Sequence, residues 1–326
     1  MALDRSGGNI PLGSPATGAV GTTATPVGTL AESQQSRSLW TDAWRRLRKN
    51  KLAVAGLIVI ALLTLLAIFA PLIAPHSYRE VVYSGRTNAP PGTAGLMGAD
   101  NLGRDVFSRL IYGARVSLSV GLVVQIVVVG IGVPLGAIAG YFGGWADTLI
   151  SRFTDIMYAF PSLLLIILLS AALRESPLKQ LLGGLFVIFI AIGITSWVGD
   201  ARLMRGQIIS LKDREYVEAA RALGARPGRI VWKHLLPNAL GPVLVSITFG
   251  VPGAIFAEAA LSYLGIGVIP PTPSWGAMIN EGYQAIFYAP TQVLFPGIAI
   301  ALTMLSFTFL GDGLRDALDP RGKRGT

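Results

Sequence analysis

Six apolar runs of membrane length punctuate the chain, at residues 52–74, 116–140, 147–172, 181–200, 239–266 and 291–311. As helices rising about 1.5 Å per residue, such runs are sized to cross a hydrocarbon core of about 30 Å. The pattern predicts an all-α polytopic membrane protein of about six transmembrane helices, and an even number of crossings leaves both termini on one side. Within the second run Gly132, Gly136 and Gly140 recur every four residues. They fall on one helix face, where the missing side chains let another helix approach closely.

The polar segments between the runs refine this picture. Residues 1–38 are dominated by Gly, Ser, Thr, Ala and Pro, too little apolar surface to offset the entropy of ordering, so a disordered tail is expected. Residues 39–97 are expected to hold the first membrane helix and a following loop. Basic residues precede the first run, as in a signal peptide, but that run is too long and lies some way into the chain, which favours an uncleaved helix.

Composition agrees: 52% of residues are hydrophobic and 14% charged, and the mean hydropathy is +0.57. The net charge of +9 could suggest nucleic acid, yet the basic residues gather at the ends of the apolar runs and form no groove. They report topology instead. With the N-terminus in the cytoplasm, twenty of the 27 Lys and Arg lie on the cytoplasmic side and seven outside. Both termini are therefore expected inside, including a cytoplasmic tail over residues 313–326. Five of the seven outer residues, Arg79, Arg86, Arg104, Arg109 and Arg115, share the loop after the first run, which strains the assignment. Cysteine is absent, so no disulfide or thiolate metal site can form.

The most patterned polar segment runs from Ser210 to Leu240. It reads as two short helices joined by a turn, with Ser210 and Asp213 spaced as a capping box and Gly224 as a left-handed stop. Pro227 is suited to open the second helix and Pro237 to end it. On the first helix Tyr216, Ala220 and Leu223 share one face, and Arg214, Glu218 and Arg221 another. A simple connection needs far fewer residues, so the segment is expected to dock a cytoplasmic partner; the competing interpretation is a helix lying on anionic lipid.

The same segment carries a resemblance. Glu218, Ala219 and Ala220, then Gly224, then Leu236 and Pro237 resemble the EAA loop of type I ABC importer permeases. His234 stands where the general pattern has Ile, as in the dipeptide, oligopeptide and nickel subfamily, whose loop resembles the KHLLPN found here. Two more stretches are similar to the C-type subunit of that subfamily: GADNLGRDVFSRLIYGARVSL from Gly98, and the run from LSYLGIG at Leu261 through PPTPSWGAM at Pro270 to Arg321. Thr291 and Thr308 depart from residues common in relatives, where Trp and Asn are frequent.

The resemblance implies a type I permease fold over residues 98–312, with residues 210–238 as the coupling loop and Tyr216, Glu218, Ala219, Ala220, Gly224, His234 and Pro237 as its ATPase-coupling residues. It also implies a B-type permease partner in a heterodimer, one or two ABC ATPase subunits, an external solute-binding protein, and a place in the cytoplasmic membrane. Peptides are the implied cargo, with nickel, glutathione or another small solute as alternatives. No G-x4-G-K-[ST] phosphate loop occurs, so ATP and Mg are expected on the partner subunits and no cofactor on this chain.

Ionisable residues inside the runs are candidates for function. Glu258 and Asp155 are the candidates for the translocation pathway; Asp155 is also expected to pair with Arg152 three residues earlier, and Glu258 either to line the path or to bond a neighbouring helix. His76 and His234 lie far apart in topology and offer no metal spacing, and no nucleophile and base form a hydrolytic set. An ion-coupled secondary transporter, or a membrane channel or scaffold, is the competing class. The first predicts inverted repeats and several buried carboxylates, and the second leaves the patterned loop without a purpose.

Overall fold

The computed structural model describes residues 39–319. The expected tail over residues 1–38, and the end of the chain beyond 319, lie outside the described residues.

A nine-residue helix, α1 (Leu39–Leu47), precedes the first membrane helix α2 (Lys51–Ile68). Asn50 caps α2 by accepting from the backbone N–H groups of Leu52 and Ala53. The helix breaks at Phe69, and Pro71 opens the single turn α3 (Ala70–Ile73). A long connecting segment then leads to α4 (Val106–Phe142). Asp105 caps α4 through Ser108 N–H at 2.8 Å, so the helix begins ten residues before the apolar run at 116.

The third crossing is a bent pair, α5 (Gly144–Ala159) and α6 (Ser162–Arg174), whose axes meet at 90° around Phe160 and Pro161. With that pair counted as one span the described residues hold six candidate crossings, and without it five. A 3₁₀ segment (Pro177–Gly184) occupies the start of the expected fourth run, so α7 (Leu185–Leu211) begins later and continues beyond residue 200. The loop helices are α8 (Glu215–Ala222) and α9 (Pro227–Ile230). A π-helical turn (Val231–Leu235) joins α9 to α10 (Leu236–Tyr263). A short helix α11 (Trp275–Tyr283) precedes α12 (Thr291–Leu318).

The core is the pair α4 and α7, which run parallel, since Gly132, Gly136 and Gly140 of α4 meet Trp197, Ala201 and Arg205 of α7 in that order. A Cβ at Gly132 would sit 2.8 Å from the carbonyl oxygen of Trp197, and one at Gly140 2.8 Å from that of Arg205; at Gly136 it would collide with the carbonyl of Ala201. The four-residue glycine spacing is thus the contact line along which α7 lies on α4. α10 packs against α4, α7, α11 and α12, while α2 covers α4 and α12. The outer side of α2 presents Leu52, Ile58, Leu62 and Leu65, the surface expected of a helix bathed in lipid.

Candidate functional site

The loop between α7 and α10 is fastened to the bundle by one face and open on the other. Val217, fully buried, packs among Val133 and Ala137 of α4, Met204 and Ile208 of α7, Leu235 of the π-helical turn and Ala239 of α10, and Ala220 on the same helix is buried as well. Arg221 donates to the carbonyl of Lys212 at 3.2 Å and lies over the Tyr141 ring. α8 ends in a Schellman arrangement: Gly224 N–H donates to Arg221 C=O at 2.9 Å, and Ala225 N–H to Ala220 C=O at 3.0 Å. Gly224 has φ +78°, and a Cβ there would meet no atom within 4 Å, so its requirement is for the backbone angle and not for space.

The open side carries Tyr216, Glu218, Ala219, Gly224 and Pro237, with His234 half-buried. Leu223 is 89% exposed and Trp232 70%. Large apolar side chains held out by a fixed loop are unusual on a surface that meets only water. Trp232 carries no motif or periodicity, although an isolated Trp in a basic polar segment is a usable signal.

Three local expectations require correction. Ser210 lies inside α7 and donates to Gln207 C=O, while α8 starts at Glu215 after Arg214 with no side-chain cap, so the Ser210/Asp213 capping box does not form. Pro237 does not end a helix; it sits in the first turn of α10, where its missing N–H matters little, and the π-helical turn before it absorbs the change in register. The inward face of α8 is Val217 and Ala220, and Leu223 points away from it.

Asp155 also differs from expectation. It accepts from Arg202 of α7 at 2.7 Å, with both side chains about half exposed, and not from Arg152. Arg202 in addition lies over Tyr158, 4.1 Å from the ring centroid. Nearby, Arg205 of α7 grips Asp147 at the start of α5 through two nitrogens. These two pairs clamp α5 onto α7 beside a cleft of about 280 Å³.

Glu258 on α10 is fully buried. Its carboxylate accepts from Ser262 Oγ at 2.7 Å and from Ser117 Oγ of α4 at 3.4 Å. Ser117 Oγ in turn accepts from the N–H of Trp275, and the indole of Trp275 donates to Leu110 C=O. The acid therefore sits in a network joining α4, α10 and α11.

A second cluster, around Asp100, has no local signature in the sequence. Asp100 Oδ2 accepts from Arg104 Nε at 2.6 Å and from Arg109 Nη1 at 2.5 Å, while Glu281 of α11 accepts from both arginines. The Asp100 and Arg109 side chains are 5% and 2% exposed. Two of the five arginines that strain the expected topology, Arg104 and Arg109, are thus paired with carboxylates. They do not behave as free positive charge. Among the described residues no cluster of His, Cys, Asp and Glu is suited to hold a metal.

The chain is similar to known proteins. The family described as binding-protein-dependent transport system inner membrane component matches residues 132–324. The N-terminal TM domain of oligopeptide transport permease C matches residues 38–91. The chain is 46% identical to the oligopeptide transport system permease protein OppC of Bacillus subtilis over 89% of this chain and 92% of that one. It is equally similar, at 46%, to the dipeptide transport system permease protein DppC of Alkalihalophilus pseudofirmus, covering 88% and 91%. Identity to the glutathione transport system permease protein GsiD of Pectobacterium atrosepticum is 39%, covering 88% and 93%. In fold it resembles an inward-facing structure of the MetNI methionine ABC transporter, with a TM-score of 0.50 at 20% identity over 65% of this chain and 97% of that one.

Proposed function

The chain belongs to the family of binding-protein-dependent transport system inner membrane components, a permease subunit of an ABC importer, and from that premise we propose that it forms half of a path for peptides into the cell. Relatives at 46% identity named for oligopeptide and dipeptide transport support the cargo. The permease named for glutathione, itself a small peptide, is less similar at 39%. The other half of the path is a B-type permease. ATP and Mg bind to separate ATPase subunits, and an external binding protein delivers the peptide.

One observation carries the mechanism. α8 is fixed by Val217 to residues of α4, α7 and α10, while Leu223 and Trp232 of the same loop stand exposed. A partner that seats those side chains and moves them also moves three membrane helices. ATP binding closes the ATPase pair, the loop follows, and the permease pair turns from inward to outward opening. Asp155 and Glu258 are assigned supporting places in this motion, Asp155 beside the α5–α7 cleft and Glu258 in the network behind α11.

The loop is tested at Gly224. Valine is β-branched and is strained at φ +78°, at about 1–2 kcal/mol or more, whereas asparagine tolerates that region. Gly224→Val should lower peptide uptake and peptide-stimulated ATPase activity about tenfold at unchanged membrane abundance, and Gly224→Asn should be mild. Normal activity of Gly224→Val at normal abundance would remove the loop from the mechanism.

We place the protein in the cytoplasmic membrane with both termini inside. A reporter fused after Arg321 should read cytoplasmic, and one inserted between Pro270 and Tyr288 external. Reversed signals would overturn this orientation.

A further inference from the structure

Short helix α1 stands at the boundary where the chain enters the membrane, since only Arg48 to Asn50 separate it from the apolar helix α2. Its inner face, Ala43 and Leu47, packs with Ala53 and Ala317 near the end of α12. Arg46 fastens it further by donating to the carbonyl of Asp319 at 3.1 Å. The helix is therefore held in place by the fold.

The opposite face presents Trp44, Arg45 and Arg48, all exposed, at the i, i+1 and i+4 positions. With Thr41 they line an open cleft. The Arg48 guanidinium lies over the Trp44 ring, 5.0 Å from its centroid, which orients it. No carboxylate pairs with Arg45 or Arg48 among the described residues. Arg45, Arg46, Arg48, Lys49 and Lys51 face a single acid, Asp42, in this stretch.

We propose that Trp44, Arg45 and Arg48 form a seat for the phosphodiester headgroup of an anionic phospholipid. Two guanidiniums can take the phosphate oxygens in paired hydrogen bonds, and an indole is at home at the level of the headgroups. The adjoining helix favours a lipid over a free anion. Leu52, exposed at the start of α2, begins the apolar outer surface that continues through Ile58, Leu62 and Leu65. The seat thus lies at the head of a track for acyl chains. This inference rests on the membrane assignment and is independent of the peptide cargo.

The test uses the full chain reconstituted in phosphatidylcholine vesicles with trace spin-labelled phosphatidylglycerol or phosphatidylcholine, the label being on the acyl chain. The fraction of each lipid immobilised by the protein gives its selectivity. Arg45→Gln with Arg48→Gln should lower the preference for phosphatidylglycerol about fivefold or more, given the attraction of each basic side chain to an anionic surface. Trp44→Ala should lower it less. Arg226→Gln with Arg229→Gln, in the cytoplasmic loop, should leave it in place. The proposal is overturned if the first pair has no effect, or if the loop pair has as large an effect, which is generic surface attraction. Inorganic phosphate at constant ionic strength should not displace the lipid; if it does, the site is a simple anion site. Should the glutamine pair fail to accumulate, Arg45→Lys with Arg48→Lys keeps the charge and loses the planar fork. It should then show reduced but measurable selectivity, and full selectivity would count against the seat.

Discussion

Gly136→Val should prevent the protein from accumulating in the membrane, while Gly130→Val, on the same helix, should leave its abundance at the wild-type level. A side chain at Gly136 is directed into the backbone carbonyl of Ala201, and the neighbouring positions Gly132 and Gly140 are equally closed by α7. Backbone cannot rotate aside as a flexible side chain can. α7 must move off α4, and the buried contacts of Val124, Val128, Ile188, Ile192 and Ala201 loosen with it. Overpacking of this kind costs about 1–3 kcal/mol where side chains can shift, and about 3 kcal/mol or more is expected where they cannot. Gly130 has no atom within 4 Å of its would-be Cβ, so its substitution isolates the general effect of a β-branched residue. Quantitative immunoblotting of membranes and thermal unfolding in detergent measure both variants. Equal losses would show that helix propensity, and not close packing, sets the requirement.

The second large effect is expected at the charge cluster around Asp100. Asp100→Asn keeps an oxygen able to accept from the N–H groups of Leu102 and Arg104, as Oδ1 does now. It removes the negative charge that faces Arg104 and Arg109. Two guanidiniums would then share Glu281 alone, and breaking a buried pair by removing one partner is destabilising by about 3–5 kcal/mol. Arg109→Met should destabilise comparably by leaving Asp100 and Glu281 less compensated. Combined, the two substitutions should destabilise by clearly less than their sum, because each removes what makes the other harmful. Thermal melts of the four proteins in detergent give the cycle, and simple additivity would mean that the cluster contributes nothing as a unit.

What can be read from the sequence depends on the range of the interactions. The α4–α7 contact is visible because a four-residue glycine spacing reports a helix face directly, and the Gly224 turn because a left-handed position selects glycine. Local spacing alone pairs Asp155 with Arg152. Its real partner, Arg202, lies on another helix. For the same reason the first turns of α4 read as loop: Ser108, Arg109 and Arg115 interrupt the apolar run, and what makes Arg109 acceptable in a helix, Glu281, lies far along the chain. The π-helical turn at Val231–Leu235 has no local signature either. It lets the loop run into α10 with Pro237 in the first turn, where a proline is expected to stop it. The loop between α7 and α10 is recognisable through its pattern, yet its inner face is not, because the burial of Val217 depends on Met204, Ile208 and Ala239 of other helices.

The central claim is that this chain is a conduit moved by ATP hydrolysed on other subunits. The most direct measurement is uptake of a labelled peptide into vesicles holding this chain, its partner permease and the ATPase subunits, with the binding protein outside and ATP inside. Peptide should accumulate only with hydrolysable ATP, independently of proton or sodium gradients, and the purified chain alone should neither bind nor hydrolyse ATP. Accumulation driven by an ion gradient without ATP, or stoichiometric nucleotide binding by this chain alone, would contradict that claim.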